Sequence, residues 1–497
     1  MEMLRRRFHG GHQHEYALLG GNEKARPRLW TRKHSILVLL LIALATLFFV
    51  SLSIRSGEQP CDTPEAGYQC RPEISHFWGQ YSPYFSVASD IPAHTPEGCH
   101  ITFAQVLARH GARDPTLGKS LLYGATIERL KANVKHFPGR YAFLADYEYT
   151  LGADQLSIFG QRQLVSAGVN FYERYKPLSR DFVPFLRASG QKRVIDSAWN
   201  WTQGFREAML ADEHTNPHHP SLPAVDVVVS EEEGMNNTLH HDICTEFETG
   251  KFGAIGSTAK FKWVEVFAEP IRARFNADLI GANLTLTEVI YLMELCPFET
   301  VASPTGKISR ICDLFTTEEW RQYNYYGSLD KWYGYGHGNP LGPTQGVGFV
   351  NELIARMTDE AVTDTTSTNR TLDSDPQTFP LGRRLYADFS HDNDMTAIMA
   401  ALGLYGETSH LPNRTLVGAP EAGGFSAAWT VPFAGRVYFE KLQCAGHDEE
   451  LVRVLVNDRV QPLLQCEGDA LGRCTLSAFV DSLQFARSGG HWAACFK

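Results

Sequence analysis

Two arginines and a histidine, spaced Arg109-His110-Gly111-Ala112-Arg113, close an apolar, strand-like run at residues 101–108. Guanidiniums at i and i+4 can converge on one tetrahedral oxyanion, each offering a planar fork of donors. The imidazole between them can be neutral and nucleophilic near or below neutral pH. Gly111 is expected to let the backbone approach the anion, and Pro115 to end the loop. That is a chemistry for phosphate monoesters. Arg-His-Gly alone reads as a solvated turn. The second arginine, the Pro115-Thr116 exit and the preceding strand favour a site at the carboxyl end of a strand in an open α/β sheet.

A second cluster stands far along the chain, in Leu385-Tyr386-Ala387-Asp388-Phe389-Ser390-His391-Asp392-Asn393-Asp394. Leu385, Ala387 and Phe389 alternate as in a strand, and a helix over 395–402 is expected directly after. His391 and Asp392 then lie at a strand end and a helix N-terminus, where an anion is stabilised. Standing alone, the segment reads as an Asp-rich helix cap. Residues 182–186 lead likewise into Arg187-Ala188-Ser189-Gly190-Gln191-Lys192-Arg193, which supplies Arg187 as a third guanidinium.

Phosphoryl transfer needs charge neutralised on the non-bridging oxygens, an in-line nucleophile and a proton for the leaving oxygen. Arg109, Arg113 and Arg187 are expected to provide the first, with His391 as a further donor. His110 is the expected nucleophile, forming phosphohistidine, and Asp392 the acid that protonates the leaving alcohol and then helps activate water. A free aspartate titrates at about 3.9, so an acidic optimum is expected. No metal and no cofactor is required, because the arginines do what magnesium does elsewhere. A rival reading takes Asp392-x-Asp394-x-Thr396, which resembles the D-x-D-x-T of haloacid-dehalogenase-type phosphatases, where the first aspartate is the nucleophile and magnesium is obligatory. Its later partner is limited to Gly468-Asp469, between Cys466 and Cys474, and it leaves the arginine-histidine loop unexplained.

The elements that must position these groups are legible in outline. Apolar residues at helical spacing mark 119–137, 154–175, 261–279 and 286–295, the last preceded by Thr285 as N-cap. Strand-like runs occupy 224–230, 436–442 and 451–456, and a final helix 476–486. At 497 residues the chain exceeds one hydrophobic core, so an α/β lobe with an inserted helical lobe, drawn mainly from 119–175 and 259–345, is expected. His214, His218 and His219 lack metal-ligand spacing and read as solvated.

Residues 35–54 carry no charge and are long enough to cross a bilayer as a helix. Eight Lys/Arg and three acids fill residues 1–34, so the positive-inside rule predicts a cytosolic tail at 1–34, a signal anchor at 35–54, a linker at 55–60 and a catalytic region at 61–497 outside. That is a type II membrane protein; cleavage after Ser53 or Ser56 would release it instead. All 10 cysteines follow the anchor, as do the sequons at Asn200, Asn236, Asn283, Asn369 and Asn413, which suits an oxidising compartment and a glycosylated ectodomain. The net charge of −10, less +5 on the tail, leaves −15 on the rest. Any basic pocket must therefore be local, and nucleic acid is excluded as a partner.

From Cys61 to Lys497 the sequence resembles the fungal phytases of the histidine acid phosphatase family. The likeness is carried by Cys61-Asp-Thr, Gly-Tyr-Gln-Cys70, Trp78-Gly-Gln80-Tyr81, Arg109-His110-Gly-Ala-Arg113, Gly338-Asn-Pro-Leu-Gly-Pro-Thr-Gln-Gly-Val-Gly348, Tyr386-Ala-Asp-Phe-Ser-His391-Asp392 and Leu455-Val-Asn-Asp-Arg-Val460. The resemblance implies a large α/β domain with a mixed sheet flanked by helices, a smaller all-α domain, and a site in the cleft between. It implies that Arg109, His110, Arg113, Arg187 and His391 hold the scissile phosphate, with Asp392 as proton donor. Gln80, Tyr81, Thr116, Lys119 and Lys331 match positions lining the phytate pocket. It also implies the bridges Cys61–Cys70, Cys99–Cys444, Cys244–Cys495, Cys296–Cys312 and Cys466–Cys474. A monomer is expected. Asp114 beside Arg113 and Asp330 beside Lys331 depart from the pattern. A hexakisphosphate needs counter-charges for its five non-reacting phosphates, so these acids weaken the expectation of phytate preference. Broad-specificity acid phosphatase is the nearer alternative, and a membrane-anchored binding glycoprotein on the same fold the more distant one.

Overall fold

A mixed sheet carries the site. The computed structural model describes residues 71–216, 222–303 and 307–497. Its strands are β1 (Cys99–Arg109), β2 (Phe185–Ser189), β3 (Val227–Val229), β4 (Leu385–Ser390), β5 (Arg436–Cys444), β6 (Leu451–Val456), β7 (Arg459–Val460) and β8 (Arg473–Thr475). They lie in the order β3-β2-β4-β1-β5-β6-β7, with β8 also paired to β6. β3, β2, β4 and β1 run parallel to one another, and β5 to β8 add an antiparallel wing that begins at β1. The four parallel strands are buried along almost their whole length, so they read as apolar runs more than as strict alternation.

Helices cover both faces. α1 spans Leu117–Asn133, α2 Ile158–Arg174, α3 Lys192–Ala211, α4 Ile255–Asp278, α5 Leu286–Ala302, α6 Thr317–Gly334, α7 Val347–Thr358 and α8 Asp392–Ala401. One apolar cluster joins α7 and α8 to Phe103, Leu107, Phe185 and Tyr386 of the sheet. Another joins α2 and α3 to Val106, Ala108, Leu186 and Phe389 on the opposite face. A third cluster holds no strand residue at all: it gathers Tyr123, Ile127 and Leu130 of α1 with α4, α5 and α6.

β1 and β4 are parallel neighbours in register, Arg109 opposite Ser390. Their carboxyl ends therefore deliver His110 and His391 side by side, and the His110 N–H donates to the Ser390 carbonyl at 3.1 Å. Gly111 is glycine for a reason other than the one expected. A Cβ there would collide with the Gly160 carbonyl and Leu164 of α2, so the residue lets a helix, not an anion, approach the backbone.

Four of the expected disulfides are present, Cys99–Cys444, Cys244–Cys495, Cys296–Cys312 and Cys466–Cys474. Cys61–Cys70 lies outside the described residues, as do the tail 1–34 and the linker 55–60. The expected transmembrane helix and type II membrane localisation are withdrawn. No helix among the described residues is long and apolar enough to cross a membrane, and residues 35–54, which carried that expectation, lie outside them. The fold is mixed α/β.

Candidate active site

His110 is buried at the end of β1. Its Nδ1 lies 2.8 Å from the Gly111 carbonyl oxygen, which can only accept, so Nδ1 carries the proton and Nε2 keeps the lone pair. That Nε2 has no hydrogen-bond partner among the described residues. Burial, then Arg109, Arg193 and Arg113, push the imidazole well below the usual histidine range. The ring stays neutral in acid.

The cations around it come from two elements. Arg109 is fully buried, donates from Nη1 to the Gln80 and Val431 carbonyls, and stacks over Phe433 at 4.6 Å. Arg113 donates to the Asp114 carbonyl at 2.7 Å, leaving Nε without a partner. Arg193, in the first turn of α3, reaches Asp154 at 3.4 Å and also has an unpartnered Nε. Burial, followed by repulsion from Arg113, lowers Arg193 to about 10, which keeps it charged at any acidic pH.

Across from them stands the N-terminus of α8, with His391 as its N-cap. The His391 and His110 ring centroids are 5.6 Å apart, and His391 Nε2 lies 2.9 Å from Glu231. Burial alone would raise Glu231, but the His391 contact outweighs it and holds the carboxyl at about 2. Asp392 is caught between Arg109 Nη2 at 3.3 Å and Lys331 Nζ at 2.7 Å. Burial raises its affinity for a proton, yet Arg109 and Lys331 together hold it well below the usual carboxylate range. Held so, it is a carboxylate.

A cleft of about 400 Å³ opens above, and Gln80, Tyr81, Arg113, Thr116, Lys119, Lys331, His391 and Asp392 all line it. Its lysines are already paired: Lys119 with Glu294 at 2.8 Å, Lys260 with Asp330 at 2.6 Å, and Lys331 with Asp392.

Residues 100–457 match the model of the histidine phosphatase superfamily, branch 2. The chain belongs to that superfamily. This histidine phosphatase is 52% identical to Phytase A of Aspergillus awamori over 443 residues, 88% of this chain and 94% of that one. It is 50% identical to a Phytase A of Aspergillus terreus over 465 residues, 92% of this chain and 99% of the relative. Its fold is that of the crystal structure of the phytase from D. castellii, with a TM-score of 0.68 at 23% identity, covering 85% of this chain and 87% of that one.

One expected residue is misplaced. Arg187 does not line the cleft: it sits within β2 opposite Asp388, fixed by Asp388 at 2.7 Å and by Glu352 of α7 at 2.6 Å. A residue two short of the strand end points into the layer beneath the sheet, not out of its edge. Arg193 supplies the third guanidinium of this histidine phosphatase instead. The second aspartate of the rival motif, Asp394, accepts the His241 N–H at 2.7 Å, and Asp469 is held by Arg473 at 2.7 Å. Glu231, Lys260 and Glu294 went unread in the sequence. Glu231 opens an acidic run, Glu231-Glu232-Glu233, that looks like a solvated surface stretch; only its place just after β3 hints otherwise.

Proposed function

We propose that the protein hydrolyses phosphomonoesters in acid, removing phosphates from phytate (myo-inositol hexakisphosphate) stepwise through a phosphohistidine. The observation that carries this is the neutral, unpartnered Nε2 of His110 among Arg109, Arg113 and Arg193, with Asp392 joined to Arg109. The relatives named Phytase A support phytate as the substrate.

Arg109, Arg113, Arg193 and His391 hold the non-bridging oxygens of the scissile phosphate, with Asp392 beside it. His110 Nε2 attacks phosphorus in line; the N–P bond forms as the P–O ester bond breaks. Asp392 delivers a proton to the departing oxygen. Water then attacks the phosphohistidine, Asp392 accepts its proton, the N–P bond breaks and phosphate leaves. Since Asp392 is ionised in the free cleft, the proton enters with the substrate. A phosphomonoester keeps one proton below its second pKa of about 6, and its oxygens draw Arg109 and Lys331 away from the carboxylate, which then accepts that proton. Gln80, Tyr81, Thr116, Lys119 and Lys331 serve the remaining phosphates. The sheet and the helical cluster around Tyr123 form the two walls of the cleft.

A broad-specificity acid phosphatase is the second reading, favoured by the pairing of each cleft lysine with an acid. Phosphate release from phytate and from an aryl phosphate at pH 5, with and without chelator, tests both. Wild type is expected to favour phytate in kcat/KM with no effect of chelator, and His110→Ala to be inactive. A preference for the aryl ester selects the second reading, and activity retained in His110→Ala removes both.

A further inference from the structure

In the wall of the cleft lies a group of side chains for which the phosphatase chemistry has no complete use. Glu231 follows β3, His240 sits in the loop after it, and His391 caps α8. One ligand atom from each lies within 4.8 Å of those from the other two. The His240 and His391 rings meet edge to face with centroids 5.6 Å apart, and His240 Nδ1 is buried without a hydrogen bond. Glu231 is oriented from behind, its Oε1 accepting from Ser189 Oγ at 2.5 Å and from the Gln191 N–H at 3.2 Å. The nearest acceptor, Asp394 Oδ1, takes the His241 N–H at 2.7 Å and stays 3.9 Å from His240 Nδ1, beyond hydrogen-bond reach, while His241 Nδ1 pairs with Glu248 at 2.7 Å.

We propose that Glu231, His240 and His391 bind a divalent transition-metal ion of the zinc class, and that the bound ion inhibits the enzyme by withdrawing His391 from substrate phosphate. Two imidazoles and a carboxylate suit zinc, copper or nickel; magnesium and calcium prefer all-oxygen sets. Tetrahedral zinc with bonds of about 2.1 Å wants ligand atoms about 3.4 Å apart, so the trio closes by rotamer adjustments of roughly 1 Å. The hydroxyl and amide behind Glu231 are the outer partners such a ligand needs. All three residues line the cleft, so the fourth coordination position faces solvent. The ion is an inhibitor here and takes no part in the reaction.

The inhibition rests on the phosphatase reading; the binding does not. Full-length, chelator-treated protein is titrated with zinc chloride by calorimetry, and hydrolysis of an aryl phosphate, which does not sequester zinc, is followed in parallel. Wild type is expected to bind one zinc per chain and to show a raised KM at unchanged kcat, while magnesium chloride gives no heat. His240→Ala, compared with its own zinc-free kinetics, is expected to lose at least tenfold in zinc affinity and its inhibition with it. Equal affinity in wild type and variant, or no zinc heat in wild type, overturns the site. Zinc binding that His240→Ala abolishes, in a protein with no esterase activity, leaves the site standing and removes the phosphatase reading instead.

Discussion

Arg187 and Arg193 share one short stretch of chain, and their surroundings give them opposite duties. Arg187 neutralises Asp388 and Glu352 in a layer that Arg356 also enters, 2.6 Å from Asp388. Arg187→Met strands buried carboxylates, and a loss of about 3–5 kcal/mol in urea unfolding is expected. Arg193→Gln removes one preorganised donor, so stability holds while kcat/KM on an aryl phosphate falls about 10²–10³-fold. His110 sets a pH expectation. Burial and the three arginines lower its pKa, so the nucleophilic form survives below the ordinary titration near ~6.5, and activity should persist at pH 4–5. In Arg193→Gln one repulsive charge is gone, His110 binds its proton more readily, and the acid limb of kcat/KM moves to higher pH. A limb unmoved in that variant would assign the acid limb to some other group. His110 was legible because it stands where a strand breaks into a polar loop, and Asp392 because it stands where a strand gives way to a helix N-terminus. Arg187 misled because composition shows an arginine near a glycine turn, while only strand parity reveals which side of the sheet it faces.

Elements were read better in kind than in extent. The helix after Thr285 begins there, with Thr285 and Glu288 forming a full capping box. The strand expected over 224–230 is only Val227–Val229, and the last helix is interrupted at Leu483. What periodicity could not supply is contact between elements. α2 and α3 touch through Gly168 and Gly204, where a Cβ on either would strike the backbone of the facing helix. Two helices that together carry the Gly111 support and Arg193 are thus held backbone to backbone. Gly204→Ala forces them apart; a loss of about 1–3 kcal/mol by thermal unfolding is expected, together with reduced kcat as Arg193 shifts. Unchanged stability would mean the helices slide at no cost.

At the scale of the molecule, a chain of net charge −10 carries a cleft whose floor is cationic. The excess charge repels anions broadly, so capture depends on the short-range cations of the cleft, and salt should weaken substrate binding only modestly. The Cys99–Cys444 bridge ties the start of β1 to the end of β5, residues already opposite one another in the sheet. Replacing both by serine is expected to cost about 2–5 kcal/mol, seen as a lower urea midpoint with kinetics unaltered in the folded fraction. That pairing came from family likeness; spacing could not give it, because partners so distant in sequence leave no local trace.

The pairing of β1 with β4 has a consequence in time. Most of the polypeptide must leave the ribosome before residue 110 meets residue 392, so a nascent or truncated chain ending before β4 has no catalytic centre. Activity arrives late in synthesis, once β4 slots between β2 and β1.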